Sequence, residues 1–263
     1  MNDIFLSLIL GLVQGLTEFL PISSSAHLLL PSLVFGSGDL GLSFDIAVHA
    51  GTLMAVIYFF KSEIILMAKS VFTTEESFSQ YRKLALYLSI ATIPIIFTGL
   101  TFSSLIEQRI FSISNIAYTN LFFAGILLFA FMYRKENKGI FEITIYGALI
   151  IGIIQCFAII PGASRSGMAI TAALLIGMNL KDASKFAFML GIPTILGALV
   201  FLIVDSQTSD TTYNFLNLVI GFFVSMFFAF FTIKFFLNFV ERIGMIPFVI
   251  YRIFLGIILL LLI

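Results

Sequence analysis

Charge is what this chain has least of: Asp, Glu, Lys and Arg make up 11% of its 263 residues, against roughly a quarter in a soluble domain. Its 14 basic and 14 acidic residues cancel, so neither a nucleic-acid nor an acidic protein partner is expected. There is no tryptophan and only one cysteine. Cys156 stands alone in an apolar run, which excludes an intrachain disulfide and reads as a small core residue. Only two histidines, His27 and His49, are present, so few side chains can exchange protons near neutral pH. The start, Met1-Asn2-Asp3 before Ile4–Leu12, has no basic region and no small-residue cleavage site, so no removable signal peptide is expected.

Apolar residues fill the space that charge leaves. They form 60% of the chain, and mean hydropathy is +1.13. Runs long enough to cross a hydrocarbon core of about 30 Å recur at 44–60, 84–101, 115–133, 184–204, 213–238 and 245–263. Two more apolar regions, 4–35 and 140–178, are interrupted by Pro21-Ile22-Ser23-Ser24-Ser25 and by Pro161-Gly162-Ala163-Ser164-Arg165-Ser166-Gly167. Irregular backbone at membrane depth survives only inside protein or beside a wet cavity, so each interruption reads as the tip of a re-entrant helical hairpin. The expected fold is an all-α polytopic membrane protein, one integral membrane domain over 1–263 with six spans.

Basic residues collect on the cytoplasmic side of a membrane. Lys61, Lys69, Arg82 and Lys83, then Arg134, Lys135 and Lys138, then Lys181 and Lys185, then Lys234, Arg242 and Arg252 fall near alternate membrane ends. The other ends hold Asp39, Glu107 with Arg109, and Asp205 with Asp210, which leaves Arg165 at membrane depth. With basic ends inside, the two halves, 1–133 and 140–263, have inverted topology, each a re-entrant hairpin followed by three spans. Gly11, Gln14, Pro21 and Ser24 find counterparts in Gly152, Gln155, Pro161 and Ser164, with a one-residue gap before the proline. Pro21 to Gly51 and Pro161 to Gly191 are both thirty residues. Inverted repeats built on broken helices place a site between the breaks, near the midplane.

Ionisable groups within a bilayer are costly and are candidates for function. Gln14 and Glu18, four apart, share a helix face with Gly11. Ser23, Ser24, Ser25 and His27 follow at the first break; Ser164, Arg165 and Ser166 occupy the second. Helices resuming after each break present free N–H groups, which with hydroxyls and an arginine make an anion site. Phosphoryl transfer needs such a set, because charge on the phosphate oxygens must be neutralised as bonds change. Arg165 offers a planar fork for two oxygens. Glu18 suits a hard divalent ion, Mg²⁺ or Ca²⁺, with Gln14 adding a carbonyl oxygen. His27 suits a general base or a nucleophile.

Plainer readings attach to the same residues. Break serines also satisfy freed backbone groups, Glu18 and Arg165 also make a structural ion pair, and His27 also serves as a buried tether. His49 reads as structural and Asp45 as an interfacial cap. Gly147, Gly152, Gly197 and Gly221 read as points of close helix approach, and the 32 phenylalanines as lipid-facing and packing surface.

Gln14-Gly15-Leu16-Thr17-Glu18-Phe19-Leu20-Pro21, the serines and His27 after it, and Pro161-Gly162-Ala163-Ser164-Arg165-Ser166-Gly167 resemble the undecaprenyl-diphosphate phosphatases, also called bacitracin-resistance proteins. In spacing and hydropathy the resemblance extends over nearly the whole chain. It implies a multi-pass plasma-membrane phosphatase that removes one phosphate from undecaprenyl diphosphate and recycles this carrier lipid for cell-wall and peptidoglycan synthesis. With the charge pattern, it implies a site open toward the outer face. It also implies an acidic-residue site for a divalent metal (Glu18 with Gln14), a diphosphate-binding arginine (Arg165) and catalytic Ser and His, carried onto Ser23, Ser24, His27, Ser164 and Ser166. Ser25 joins the binding set. A serine nucleophile with His27 as its base is the preferred mechanism, alongside attack by His27 or by a metal-bound water. Two departures stand out: Gln14, where many members have Glu, and Ala169, where the pattern usually ends in Thr, with Thr171 two residues on. The expected partners are a polyprenyl diphosphate lipid and the bilayer; a homo-oligomer is compatible with the sequence. The alternative is a secondary transporter or flippase of a polyprenyl phosphate or other phosphate compound, which needs neither nucleophile nor metal.

Overall fold

Segments that cannot bond their backbone to water must bond it to themselves, and every regular element among the described residues is helical. The computed structural model describes residues 3–36, 40–102, 112–206 and 214–262. Asp39, Glu107, Arg109, Asp210 and the side chain of Asp205, which entered the charge pattern, lie outside that description. In chain order the helices are α1 (Asp3–Thr17), α2 (Ser24–Phe35), α3 (Leu42–Phe59), α4 (Lys61–Val71), α5 (Ser79–Thr101) and α6 (Ile113–Met132). Then come α7 (Ile145–Gln155), α8 (Arg165–Leu175), α9 (Leu180–Ser206), α10 (Phe215–Ile243) and α11 (Ile246–Leu261).

Among the described residues four helices are long and apolar enough to cross a membrane: α5, α6, α9 and α10. A fifth span comes from α3 and α4 together, although the chain bends by 75° between them. The expected sixth, 245–263, is the 16-residue α11, about 24 Å long at ~1.5 Å per residue and short of a core of about 30 Å. The chain is a multi-pass helical membrane protein with four to five spans of full length among the described residues.

The two interrupted regions each fold as helix, break, helix, with α1 packed on α2 and α7 on α8. The residue before each second helix is a serine in the left-handed region: Ser23 at φ 71 and Ser164 at φ 74. Such a conformation costs of order 1–3 kcal/mol for a non-glycine residue, so its surroundings must hold it. They do so alike at both places. Ser23 Oγ lies 3.2 Å from Ser25 Oγ, and Ser164 Oγ lies 3.3 Å from Ser166 Oγ. This geometry pairs Ser164 with Ser23, not with Ser24 as the proline spacing suggests. The offset is then 141 residues, the same as from Gly11 to Gly152 and from Gln14 to Gln155.

Close approach puts glycine where the broken helices meet their neighbours. A Cβ on Gly11 of α1 would stand 3.1 Å from the Gly221 carbonyl oxygen of α10, and one on Gly152 of α7 only 2.5 Å from the Ala91 carbonyl oxygen of α5. Both helices lie backbone to backbone on a long span, as small-residue contacts allow in membranes.

One basic residue departs from the charge pattern. Arg252 does not sit at a cytoplasmic end; it is fully buried. Its guanidinium donates to the carbonyl oxygens of Pro21 (3.3 Å), Gly162 (2.7 Å) and Ala163 (3.2 Å), and its Nε to Asn120 Oδ1 (2.9 Å). Asn120 Nδ2 returns a bond to the Arg252 carbonyl at 2.6 Å. One side chain of α11 thereby caps freed carbonyls of both breaks. Since a hydrogen bond to a charged group contributes roughly 1.5–3 kcal/mol, Arg252→Met should destabilise the fold by at least about 3 kcal/mol. In detergent this should appear as a melting temperature far below that of wild type or of Arg242→Met, an exposed position; equal melting of the three proteins would sink the clamp.

Candidate active site

The last residues of α1 point a carboxylate at the first residues of α8. Glu18 extends α1 by one bond, its N–H donating to the Gln14 carbonyl at 3.0 Å, and is 7% exposed. Arg165 Nη2 donates to Glu18 Oε1 at 3.1 Å. The other carboxylate oxygen, Oε2, accepts from Ser24 Oγ at 2.7 Å and from Gln14 Nε2 at 3.0 Å. His49 Nε2 stands 3.8 Å from the same oxygen. The spacing of four between Gln14 and Glu18 thus does what helical periodicity predicts, and the breaks bring Ser24 and Arg165 to it from either side.

Glu18, Arg165, Ser24 and His49 line a cavity of about 310 Å³ together with Ser23, Ser25, Ser164, Thr194 and apolar residues of α5, α9 and the second break, while Gln14 stands behind Glu18 and outside the lining. Two helices begin at its wall, so the N–H groups of their first turns, which have no intrahelical acceptor, favour an anion there. Arg165 is fixed from several directions. Its Nη1 donates to the Ala187 carbonyl at 3.3 Å, its guanidinium lies against Gly191, where a Cβ would come within 2.7 Å of Nη1, and the Phe19 ring centre is 5.9 Å from Cζ. Arg165 Nε and Gln14 Oε1 are buried without a protein partner.

Not every expected residue faces the cavity. Ser166 donates to the Leu20 carbonyl at 2.9 Å and ties one break to the other. Ser164 accepts from the Gly167 N–H at 3.1 Å as the cap of α8 while also lining the cavity. His27 is not among the lining residues. Its Nδ1 donates to the Ser23 carbonyl at 2.7 Å, and its Nε2 lies 2.5 Å from the Tyr251 hydroxyl. A carbonyl can only accept, so the proton of neutral His27 is on Nδ1, and Nε2 accepts from Tyr251.

The chain is similar to known proteins over nearly its whole length. The model of the family described as "Bacitracin resistance protein BacA" matches residues 7–258. The chain belongs to that family. It is 42% identical to the undecaprenyl-diphosphatase of Alcanivorax borkumensis over 98% of both chains. It is 43% identical to that of Saccharophagus degradans, over 97% of this chain and 96% of the relative. The undecaprenyl-diphosphatase of Teredinibacter turnerae is 43% identical over 98% of each chain. The family match takes in both breaks and every residue that lines the cavity.

Sequence reasoning treated His49 as structural, yet its ring lines the cavity beside Glu18. The available signal was its place in α3 two residues before Gly51, the end of a spacing shared by both halves, which gives position but no direction. Tyr251 and Arg252 carried no signal, because neither is near a break in sequence. The Glu18–Arg165 pair is nearly buried, with side chains 5% and 12% exposed. Removing one partner from such a pair strands the other charge, at about 3–5 kcal/mol. Glu18→Gln and Arg165→Met should therefore each lower thermal stability in detergent, and the double variant should recover part of the loss; additive losses would show that the pair is not coupled.

Proposed function

We propose that this protein hydrolyses a polyprenyl diphosphate, undecaprenyl diphosphate as in the names of its relatives, to the monophosphate and inorganic phosphate. The observation that carries the reading is one carboxylate with a serine hydroxyl 2.7 Å from one oxygen and an arginine 3.1 Å from the other. A nucleophile, a proton acceptor and a charge clamp for phosphoryl transfer stand within one side chain of each other.

Ser24 Oγ is the nucleophile. It attacks the terminal phosphorus in line with the bridging oxygen, and its proton passes to Glu18, which it already faces. The bond from that phosphorus to the bridging oxygen breaks, and the polyprenyl monophosphate leaves with the proton from Glu18. Arg165, the first-turn N–H groups of α2 and α8, Ser23, Ser25 and Ser164 carry the charge of the phosphate oxygens meanwhile. Water then attacks the phosphoserine. Glu18, unprotonated again, takes its proton and returns it to Ser24 Oγ as inorganic phosphate departs, while His27 supports the site from outside the cavity through the Ser23 carbonyl. Ser166 serves the site by holding the second break against Leu20.

The donors also fit a hard divalent cation, Mg²⁺ or Ca²⁺. Among the described residues no group of three or more His, Cys, Asp or Glu could hold a metal. Glu18 would bind it with the unpartnered carbonyl oxygen of Gln14, an all-oxygen set that the diphosphate would complete. Such an ion supplies neutralising charge at the phosphate oxygens when bound.

The fold reading that accompanies this is a six-span inverted repeat of residues 1–133 and 140–263, each half led by a re-entrant hairpin, in a plasma membrane. Packing supports it. Helix α1 lies on α10 as α7 lies on α5, α3 packs on α10 as α9 packs on α5, and α3 with α9 and α6 with α11 meet their own counterparts. The cavity residues Ile95 of α5 and Thr194 and Ala198 of α9 stand far from the basic starts of those helices, at Arg82 and Lys83 and at Lys181 and Lys185. With basic ends inside, the site opens toward the outer face.

Phosphate release from a polyprenyl diphosphate, followed in detergent with Mg²⁺ or Ca²⁺, tests the reading. Glu18→Gln, Ser24→Ala and Arg165→Ala should each lower turnover by about a hundredfold or more, and His27→Ala should lower it while Tyr251→Phe does not. A folded wild-type protein that releases no phosphate in several detergents and lipids would reject the enzyme in favour of a transporter.

A further inference from the structure

The diphosphate of a polyprenyl substrate carries an apolar chain that must leave a polar cavity for the bilayer. A second, apolar cavity of about 220 Å³ lies between α5 and α9 and continues the first, sharing Ile95, Ile159, Thr194 and Ala198 with it. Beyond these it is walled by Gly99 and Leu100 on one helix and Gly197 and Phe201 on the other. Thr194, its one hydroxyl, donates to the Leu190 carbonyl at 2.7 Å, so the groove offers no free polar group. Leu100 is 60% exposed and opens it sideways to lipid.

Glycine keeps this groove open. A Cβ on Gly99 would meet nothing within 4 Å, and one on Gly197 would find its nearest neighbour, Ile96 Cγ1, at 3.7 Å. Gly197 is therefore no point of close helix approach, in contrast to Gly152. Each wall also carries a proline one residue before the shared lining, Pro94 before Ile95 and Pro193 before Thr194. A proline lacks the N–H that would tie its helix one turn back, so both walls are loosened at the level where polar cavity becomes apolar groove.

Resting on the proposed function, we infer that the first isoprene units of the substrate run from the diphosphate site through the α5–α9 groove, across Gly99 and Gly197, into the bilayer. A larger apolar groove of about 590 Å³ along the phenylalanines of α10 competes for this role. It shares no lining residue with the polar cavity, so a chain lying there would have to cross the α1 backbone to reach it.

Two measurements test the path. In the first, Gly99→Leu and Gly197→Leu, which fill open space, are compared with Phe231→Ala of the α10 groove. Turnover of wild type on the long-chain diphosphate tests the enzyme reading by itself. With the groove filled, KM for that substrate should rise about tenfold, as expected when roughly two methylene groups lose their site. Hydrolysis of dimethylallyl diphosphate, a single isoprene unit, and the melting temperature should stay near wild type. Equal effects on both substrates, or none, would overturn the path. In the second, a polyprenyl diphosphate with a diazirine on its second isoprene unit is photolysed on the wild-type protein and the labelled peptides are identified, a readout that needs no turnover. Label within residues 95–100 and 194–201 is expected; label on residues 227–239, or spread evenly over the spans, would reject the groove.

Discussion

Breaking a helix frees backbone carbonyls and N–H groups that must find partners inside so apolar a protein, and the breaks between α1 and α2 and between α7 and α8 meet this need together. The freed carbonyls are taken up by Arg252, which binds one carbonyl of the first break and two of the second from a buried position on α11. Ser166 adds a bond from the second break to the Leu20 carbonyl, and Ser164 caps α8. The breaks are therefore held to each other before any substrate enters. Without that support the left-handed serines would relax and the two helix starts would not converge on one point.

Convergence sets the electrostatics of the site. Glu18 and Arg165 are 147 residues apart and meet because each terminates or begins a helix at its break. Each would be costly alone in so apolar a chain, and each offsets the other. The pair is also poised: both oxygens of Glu18 are engaged, one by the arginine and one by Ser24 and Gln14. A proton can move along the serine bond while the arginine side stays fixed. The cavity on this pair is polar on the face toward the breaks and apolar on the face toward α5 and α9, the division of character found in the lipid diphosphate proposed for it.

Much of the site could be read from the sequence, because local rules governed it. Gln14 and Glu18 share a helix face by spacing alone, and proline and serine clusters in apolar runs mark breaks whatever the rest of the fold does. Where long-range packing decided the outcome, sequence was weaker. Arg252 looked like one more cytoplasmic charge because its buried carbonyl partners lie 90 and 231 residues away. His49 looked structural because periodicity places it on α3 but does not say which neighbour that face meets. Ser24 was paired with Ser164 by the proline spacing, whereas the backbone pairs Ser23 with it, since the left-handed position follows helix starts and not prolines.

By itself the sequence determined the solvent, the helical class, the positions of the breaks and the residue types of an anion site. Each follows from hydrophobicity over about twenty residues or from backbone chemistry over a handful. Tertiary structure alone decided that the breaks face each other, that a buried arginine holds them, that His27 turns to Tyr251 while His49 turns to Glu18, and that an open groove joins the site to the lipid. Those outcomes depend on which helix faces meet, and helix faces in a membrane, uniformly apolar on nearly every side, carry little in their sequence to say so.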